Sequence, residues 1–561
     1  MQNLTKSQQA RLAIRIFQTT VDALALRGYY RASGKSGQPL EDALKIISPE
    51  IYGSMTDPRV IELKGLEYVL DRLPVGIEEC SRIILTAQEE LENTSFEKIL
   101  PLKRRRISYR VNEKEMCFVI TRGLSEIYDI LTHITFLNIE SKKIKELMFD
   151  EEKNLTPEWA ELENIVKQHI ELKGSDLDKA IWNLSIILGR TFQETKETYE
   201  YLEKSKIENN SNKGLFSIIY NLGVRAKGEE IARENMLLVY LTPSLKEMIG
   251  HHKYCDKWVN NIYEQLCRQN LQNRTVHIIS ANMHSIMNIL YAYSALENNN
   301  KVKNINDFYS FFDDVKEYKD IVVKHAQNNG LTFIEDKSGM HIDYQIIDTS
   351  YLSSINFHPD LKFNINNDKT DNSPVLFVMD YAFGTQAFDA LDNLLDILHD
   401  EKLDSIFNVS SISIMGKAGI LTGQKGDIMI ASAHVLEGTP HNYIIDNDLK
   451  EEDFDSTVNV YKGPIVTVLG TSLQNQEVLK KFMESSWHAV GLEMEGGHYQ
   501  RAINAGIIKG KIANNIKVRY AYYASDNPLI SGQTLASGSM GKEGIKPTYM
   551  ITKIILEKIF K

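Results

Sequence analysis

The chain has 561 residues, too many for a single hydrophobic core, so we predict two or three domains. Its formal net charge of −11 at pH 7 argues against a general nucleic-acid binder, and we expect no nucleic-acid partner. Four cysteines without a CxxC pair are typical of a reducing compartment, and no apolar run reaches the ~18 residues of a membrane span. We therefore expect a cytoplasmic protein with no membrane partner.

Residues 1–270 show helical periodicity, and we predict a mostly α-helical N-terminal domain there with a regulatory or assembly role. Thr5 and Gln8 form a capping box, and Gly28 can end the first helix. Further helical patterns occupy four stretches: 58–74, 112–138, 175–206 and 228–267.

After Asn273, short apolar runs alternate with small-residue turns and helical stretches. This alternation predicts an α/β domain over 271–561, with helices flanking a largely parallel sheet. Polar, Asn-rich segments delimit an insertion near 297–373. The runs are TVHIIS, VLFVMD, ISIMGKAG, GDIMIASA, PIVTVLG, AVGLEME and VRYAYYASD.

Two carboxylates follow one of these runs in the sequence GLEMEGG, residues 491–497. Glu493 and Glu495 lie two apart, so an extended strand points both to one face. A carboxylate at a strand end can accept two hydrogen bonds from a vicinal diol such as that of ribose. The two glycines would let a ligand approach closely. The alternative is a solvated strand end with an incidental acidic pair.

Two further stretches carry polar groups at strand ends. Asp526, in YYASDNPL, can be partly desolvated at the mouth of a sheet, which raises its pKa and keeps a proton available for donation. The alternative is an Asx turn or a helix cap. The stretch IMGKAGILTGQKGD, 414–427, predicts a glycine-rich turn whose backbone N–H groups can hold an anion, although it matches no nucleotide-phosphate fingerprint.

The order and spacing of these three stretches resemble the catalytic domain of the nucleoside phosphorylase/nucleosidase superfamily, and most nearly AMP nucleosidase. The resemblance covers roughly 374–561, extends loosely back to 274, and does not include the helical half. It implies a nucleoside phosphorylase-like mixed sheet flanked by helices. It also implies an enzyme of purine metabolism that acts on a purine nucleotide or nucleoside. We expect a homo-oligomer, no cofactor and no metal site.

The resemblance assigns a role to each matching residue. Glu495 would bind the ribose hydroxyls together with Glu493, Met494 would pack beneath the sugar, and Asp526 would protonate the purine at N7. Ser525 and Leu473 would lie near the base. The glycine-rich turn would hold phosphate, and here the chain departs from its relatives by carrying Lys417. The turn residues are Gly416, Lys417, Ala418 and Gly419.

The reaction class depends on phosphate. Phosphorylases of this superfamily grip phosphate with arginines in the early strand loops, and Arg is the preferred bidentate phosphate ligand. Between 271 and 561 the chain has only Arg274, Arg501 and Arg519, none of them in those loops. This absence favours hydrolysis, with a nucleotide or phosphate as a candidate effector. The alternatives are a purine nucleoside phosphorylase and a non-catalytic nucleotide-sensing protein. The base that would activate the water is not identified.

Overall fold

The computed structural model of the chain describes residues 4–87, 90–103, 106–232, 236–248, 253–297, 305–365, 373–399, 407–437, 439, 441–530 and 541–561. The chain divides into two compact units. The first contains Met1–His251 together with Ser472–Val478, and the second contains His252–Thr471 and Leu479–Lys561.

The first unit combines helices with a six-stranded sheet of order β1-β6-β2-β5-β4-β3. Its helices are α1 (Lys6–Arg27), α2 (Gln38–Ile47), α3 (Leu63–Leu70), α4 (Leu124–Leu147), α5 (Pro157–Lys167), α6 (Ser175–Leu188), α7 (Phe192–Asn209), α8 (Leu215–Ile231) and α9 (Pro243–Met248). Its strands are β1 (Tyr29–Arg31), β2 (Arg82–Thr86), β3 (Glu97–Ile99), β4 (Ile107–Asn112), β5 (Glu115–Val119) and β6 (Leu238–Leu241).

The first helix is as predicted, whereas the sheet of this unit is absent from the predictions. Thr5 and Gln8 form the capping box of α1, and Gly28 ends the helix at a φ of 89°. The stretch 112–138, predicted as helix, divides into β5 and α4, and 228–267 contains β6. These strands have three to six residues, too few for a period of two to stand out from the sequence.

The second unit is built on a ten-stranded mixed sheet. Its strands are β7 (Thr275–Ser280), β8 (Leu331–Ile334), β9 (Tyr344–Asp348), β10 (Val375–Met379), β11 (Asn408–Ile420), β12 (Ile428–Leu436), β13 (Asn442–Ile444), β14 (Val460–Thr467), β15 (Gly491–Glu493) and β16 (Lys517–Asp526). Its helices are α10 (Lys253–Arg268), α11 (Met283–Leu296), α12 (Phe308–Asp314), α13 (Lys319–Asn328), α14 (Gln386–Leu398), α15 (Gln476–Glu484, which begins in the first unit), α16 (Gly496–Ile508) and α17 (Ile545–Ile559).

Part of this sheet closes on itself. Strand β11 pairs with β16 in parallel and with β15 in antiparallel orientation. Strand β12 pairs with β16 on one side and β14 on the other, and β14 pairs with β15. These five pairings complete a ring of β11, β16, β12, β14 and β15, so the sheet is mixed rather than largely parallel at this end.

All seven apolar runs of the C-terminal half coincide with strands: β7, β10, β11, β12, β14, β15 and β16. The predicted insertion near 297–373 is partly outside the described residues, and its described part is not a separate loop region. Strands β8 and β9 continue the sheet beyond β10, with β9 antiparallel to β10. The polar segments on either side had hidden these short strands.

Helices α11, α12 and α17 pack on the sheet around a core that includes Ile286, Leu290 and Ile551. The rings of Phe312 and Tyr549 stack there with centroids 4.2 Å apart. Among the helices that the structure describes, none has both the length and the apolar character needed to cross a membrane.

Candidate active site

The three sequence motifs meet at Gly419, near the end of β11. Gly419 pairs with Leu492 of β15 on one side and with Asp526 of β16 on the other. Neighbouring strands lie about 4.8 Å apart, so Leu492 and Asp526 are separated by about 10 Å across the glycine. A Cβ on Gly419 would lie 3.1 Å from Leu492 Cδ2 and 3.4 Å from Pro528 Cδ. The absence of a side chain at Gly419 therefore lets the acidic motif and the SDNPL motif pack around one point.

Asp526 is a buried carboxyl group at the end of β16, with 3% of its surface exposed. Burial raises its pKa from 3.8 to about 6, against the opposing effects of a Ser525 hydrogen bond and the charges of Lys417 and Lys425. Its Oδ2 atom is buried and has no hydrogen-bond partner among the described residues. A carboxyl group of this kind keeps its proton to a higher pH than an ordinary aspartic acid and has an oxygen free to donate it.

A β-bulge orients this carboxyl group. The register of β11 and β16 advances from Ala418 and Ala524 to Gly419 and Asp526, which leaves Ser525 as the extra residue. Bulges redirect side chains and are common beside active sites. Ser525 lies in the bulge with its Oγ 2.5 Å from Asp526 Oδ1 and 3.2 Å from the carbonyl oxygen of Ala418.

Both carboxylate oxygens of Glu493 are hydrogen-bonded within the protein. Its side chain is 1% exposed, and Thr467 donates a hydrogen bond of 2.6 Å to its Oε1 atom. Its Oε2 atom accepts from the backbone N–H groups of Glu495 and Gly496, where α16 begins. The first N–H groups of a helix lack partners within the helix, so Glu493 caps α16. Both oxygens are therefore engaged, and the prediction that Glu493 shares in sugar binding does not fit this geometry.

Glu495 is the acidic residue that stays partly exposed. It is the N-cap residue of α16, but its side chain makes no capping hydrogen bond because Glu493 supplies the acceptor. Instead, its Oε1 atom accepts a hydrogen bond of 3.0 Å from the N–H of Gly384, in the loop after β10. The φ of Gly384 is 55°, a conformation that side chains disfavour. The loop after β10 thus helps to fix Glu495 in place.

The two glycines after the acidic pair do not open a path for a ligand. A Cβ on Gly496 would overlap Cε1 of His434 and the phenolic oxygen of Tyr522, and a Cβ on Gly497 would lie 2.6 Å from Thr467 Oγ1. The space beside both glycines is filled by protein side chains. Glycine is needed at both positions because the start of α16 packs tightly against the ring of strands. The expectation that the two glycines let a ligand approach is therefore wrong.

The predicted glycine-rich turn is also in a different place. Gly416, Lys417, Ala418 and Gly419 lie within β11, and the turn is formed by residues 421–427. There Asp427 Oδ2 accepts from the N–H of Gln424 at 2.7 Å, and the N–H of Gly426 donates to Ala524. These N–H groups are used internally, so they do not form an anion site. The turn thus occupies only the second half of the predicted stretch 414–427, and residues 416–419 were wrongly assigned to it because glycines within a strand resemble turn residues in sequence.

Lys417 nonetheless lies beside the carboxyl group. Its side chain is exposed, and its charge is one of the influences that lower the pKa of Asp526. Met494 is buried, at 7% exposure, in the short connection between β15 and α16. Leu473 belongs to the first unit with Ser472–Val478, so the geometry of the second unit does not bear on the prediction that it lies near the base.

Three residues of this region were missed by the sequence analysis. Thr467 ends β14 and bonds Glu493 and the N–H of Gly497. His434, fully buried in β12, has Nδ1 3.4 Å from Glu493 Oε1. Tyr522 has a buried hydroxyl group with no hydrogen-bond partner among the described residues. The one sequence feature that pointed to any of these three residues was the lone histidine, His434, in the apolar run IMIASAHVL.

A family model described as "Family of unknown function (DUF6909)" matches residues 38–310 and 306–561. The chain belongs to this family. The comparison with curated proteins gives no match.

Several solved structures are similar to about half of the chain. The 5'-methylthioadenosine/S-adenosyl homocysteine nucleosidase of Campylobacter jejuni is 14% identical over 51% of this chain and 98% of that chain, with a TM-score of 0.30. The futalosine hydrolase of Helicobacter pylori strain 26695 is 11% identical over 51% of this chain and 97% of that chain, with a TM-score of 0.29. TM-scores of this size do not establish a common fold or activity. Neither protein is an AMP nucleosidase.

Proposed function

We propose that this chain hydrolyses the N-glycosidic bond of a purine nucleotide or nucleoside and releases the free base and a ribose or ribose phosphate. The observation that carries the proposal is the buried carboxyl group of Asp526, whose pKa is raised to about 6 and whose Oδ2 atom has no partner among the described residues. A general acid is required because the purine leaves with the electron pair of the glycosidic bond.

Two residues support the departure of the base and the charge that develops on the sugar. Asp526 donates its proton to the purine as the bond from C1′ to the base breaks. The sugar becomes cationic, and the carboxylate of Glu495, held by Gly384 and hydrogen-bonded to the ribose hydroxyls, stabilises that charge. Water adds to C1′ and loses one proton to solvent, from which Asp526 is protonated again. The atoms and charges then balance as a hydrolysis.

Hydrolysis is favoured over phosphorolysis by the arginines of the second unit. Arg274 donates to Asp348 at 2.6 Å, and Arg519 donates to Asp448 at 2.8 Å. Arg501 lies over the ring of Phe388, 4.5 Å from its centroid. The three arginines between 271 and 561 thus have partners within the protein. An attacking phosphate would have neither Arg274 nor Arg519 available, because both guanidinium groups already bind carboxylates.

Lys417 supports a finer assignment, that the substrate carries a 5′-phosphate. It is exposed and electrostatically coupled to Asp526, so a phosphate beside it would gain a charge-assisted hydrogen bond. Lys417→Ala should lower kcat/KM for the nucleotide by one to two powers of ten, since such bonds contribute about 1.5–3 kcal/mol. Lys425→Ala is the matched control, because Lys425 is paired with Glu543 at 2.8 Å.

The experiment compares base release from AMP and adenosine by the two lysine variants. A loss confined to AMP in Lys417→Ala supports nucleotide selectivity. Equal losses on AMP and adenosine would instead mean that Lys417 acts through Asp526. A protein that binds these ligands and releases no base from either, in all its forms, would contradict the enzymatic proposal and favour the non-catalytic sensor.

A further inference from the structure

The first unit contains a cavity of about 370 Å³ that has no part in the reaction proposed above. Its volume is within the range of small-molecule sites. Helices α2, α4 and α8 supply most of its wall. The apolar part of the lining is formed by Met55, Pro58, Ile139, Ala226 and Met236.

Two of the lysines that line the cavity have protons available for a ligand. Lys142 donates to Glu41 Oε1 at 2.7 Å, and an ammonium group carries three protons. Lys45 lies four residues after Glu41 on α2, hence on the same face, and makes no ion pair with the residues that the structure describes. Lys45 and Lys142 both line the cavity, and each has ammonium protons available to an anion bound there.

The other lysines of the wall are already engaged. Lys143 donates to the carbonyl oxygen of Val60 at 2.8 Å and lies 2.9 Å from Glu140. Lys145 lies 2.8 Å from Glu146 and 3.2 Å from Glu230. Each of these two lysines contacts at least two acceptors of the protein, whereas Lys142 contacts only Glu41 among the described residues, so Lys142 has more protons left for a ligand.

Two further polar residues line the cavity, Glu229 on α8 and Ser33 in the segment between β1 and α2. Glu229 is 7% exposed, and its Oε1 atom accepts from the N–H of Leu237 at 3.1 Å. The same N–H donates to Ser33 Oγ at 3.0 Å, which leaves the Ser33 hydroxyl proton and the Oε2 atom of Glu229 for a ligand. The cavity thus offers a cationic part, an apolar wall and a neighbouring donor and acceptor.

We propose that this cavity binds a phosphate monoester of a sugar or nucleoside, with the phosphate on Lys45 and Lys142 and a hydroxyl or amino group on Glu229 and Ser33. The lysines recognise a compact dianion, and Glu229 requires a donor from the same molecule. A nucleoside monophosphate and a pentose phosphate both satisfy this chemistry. The apolar side chains favour the nucleotide.

The test is calorimetric titration of the full chain with AMP, ribose 5-phosphate and inorganic phosphate. Lys45→Ala should weaken the organic ligands about tenfold or more, because it removes a charged donor without breaking an ion pair of the described protein. Lys35→Ala, an equal charge change on an exposed residue that does not line the cavity, should leave binding unchanged. Ala226→Leu should block binding by filling the cavity without changing its charge.

The relative affinities distinguish a nucleotide site from a sugar phosphate site. Tighter binding of AMP identifies a nucleotide site, and tighter binding of ribose 5-phosphate identifies a sugar phosphate site. Wild-type affinity in both Lys45→Ala and Ala226→Leu would overturn the proposal, as would inorganic phosphate binding as tightly as both organic ligands. Because Lys45→Ala and Ala226→Leu change only the first unit, the binding that they remove belongs to this cavity and not to the active site, so a failure to release free base would leave this result unaffected.

Discussion

Ser525 Oγ lies 2.5 Å from Oδ1 of Asp526 and 3.2 Å from the carbonyl oxygen of Ala418. A hydroxyl group has one proton, so it can donate to only one of these two acceptors at a time. When Asp526 is ionised, Ser525 donates to it and leaves the carbonyl group of Ala418 without this bond. When Asp526 carries its proton on Oδ2, the oxygen from which it would reach the purine, Oδ1 can still accept from Ser525. The bulge therefore accommodates both protonation states of the carboxyl group.

Ser525→Ala tests this relationship through the pH profile. The Ser525 hydrogen bond lowers the pKa of Asp526, which burial alone raises further. Its removal should move the alkaline limb of kcat/KM, expected near pH 6 in the wild type, to higher pH. The measurement is base release between pH 4.5 and 9. A limb that stays in place or moves down would contradict the role given to Ser525.

Asp526→Asn should abolish turnover and yet stabilise the fold at neutral pH. General acid catalysis contributes about 10²–10⁴-fold, so base release should fall by that factor with binding kept within about tenfold. Because the pKa of Asp526 rises from 3.8 to about 6 on folding, folding stability falls as pH increases between these values. Above pH 6, the ionised Asp526 lowers the free energy of unfolding by about 3 kcal/mol.

The asparagine variant removes this cost. Its free energy of unfolding should therefore exceed that of the wild type at pH 8 and approach it near pH 4, as measured by denaturant titration. Near-wild-type turnover would remove Asp526 from the mechanism. A variant that is less stable at pH 8 than at pH 4, relative to wild type, would refute the raised pKa.

The two glutamates of GLEMEGG should respond differently to the same substitution. Glu495→Gln should weaken sugar recognition and reduce the preference for ribo over 2′-deoxy substrates, with a small effect on stability. Glu493→Gln places an amide N–H₂ group opposite donors from Thr467 or α16, and leaving such donors unpaired costs about 1–3 kcal/mol. Kinetics on paired ribo and deoxyribo substrates, with thermal unfolding of both variants, make the comparison. The assignment fails if Glu493→Gln alters the sugar preference more than Glu495→Gln.

Two glycines offer a matched pair for the packing argument. Gly496→Ala would force a Cβ into His434 and Tyr522, and overpacking of this kind costs about 1–3 kcal/mol. Gly416→Ala would place its Cβ 3.7 Å from Tyr381 and Tyr522, an ordinary contact, so its stability should change little. Thermal unfolding of the two variants distinguishes them. Equal unfolding temperatures of the two variants would mean that the start of α16 can move away from the strands.

The sequence predicted seven of the ten described strands of the second unit because each lies in a continuous apolar run, whereas β8, β9 and β13 lie outside these runs. It also placed Glu495 and Asp526 at strand ends. It could not show that Glu493 is engaged within the protein, since a strand pattern places both glutamates on one face, whereas β15 ends at Glu493 and Glu495 is the N-cap residue of α16. It could not show that Gly416 and Gly419 are strand residues, because β15 and β16, the strands that pair with this part of β11, are distant in the chain.

The central proposal is that the protein cleaves a glycosidic bond with water, and product analysis tests this hydrolysis most directly. The full chain is incubated with AMP and adenosine, then with the other purine nucleotides and nucleosides, in buffer with and without phosphate, and Asp526→Asn serves as the blank. We predict free base and a reducing sugar or its 5-phosphate in the absence of phosphate, and neither product from the blank. A sugar 1-phosphate formed only when phosphate is present, or no base from any purine substrate, would contradict the account.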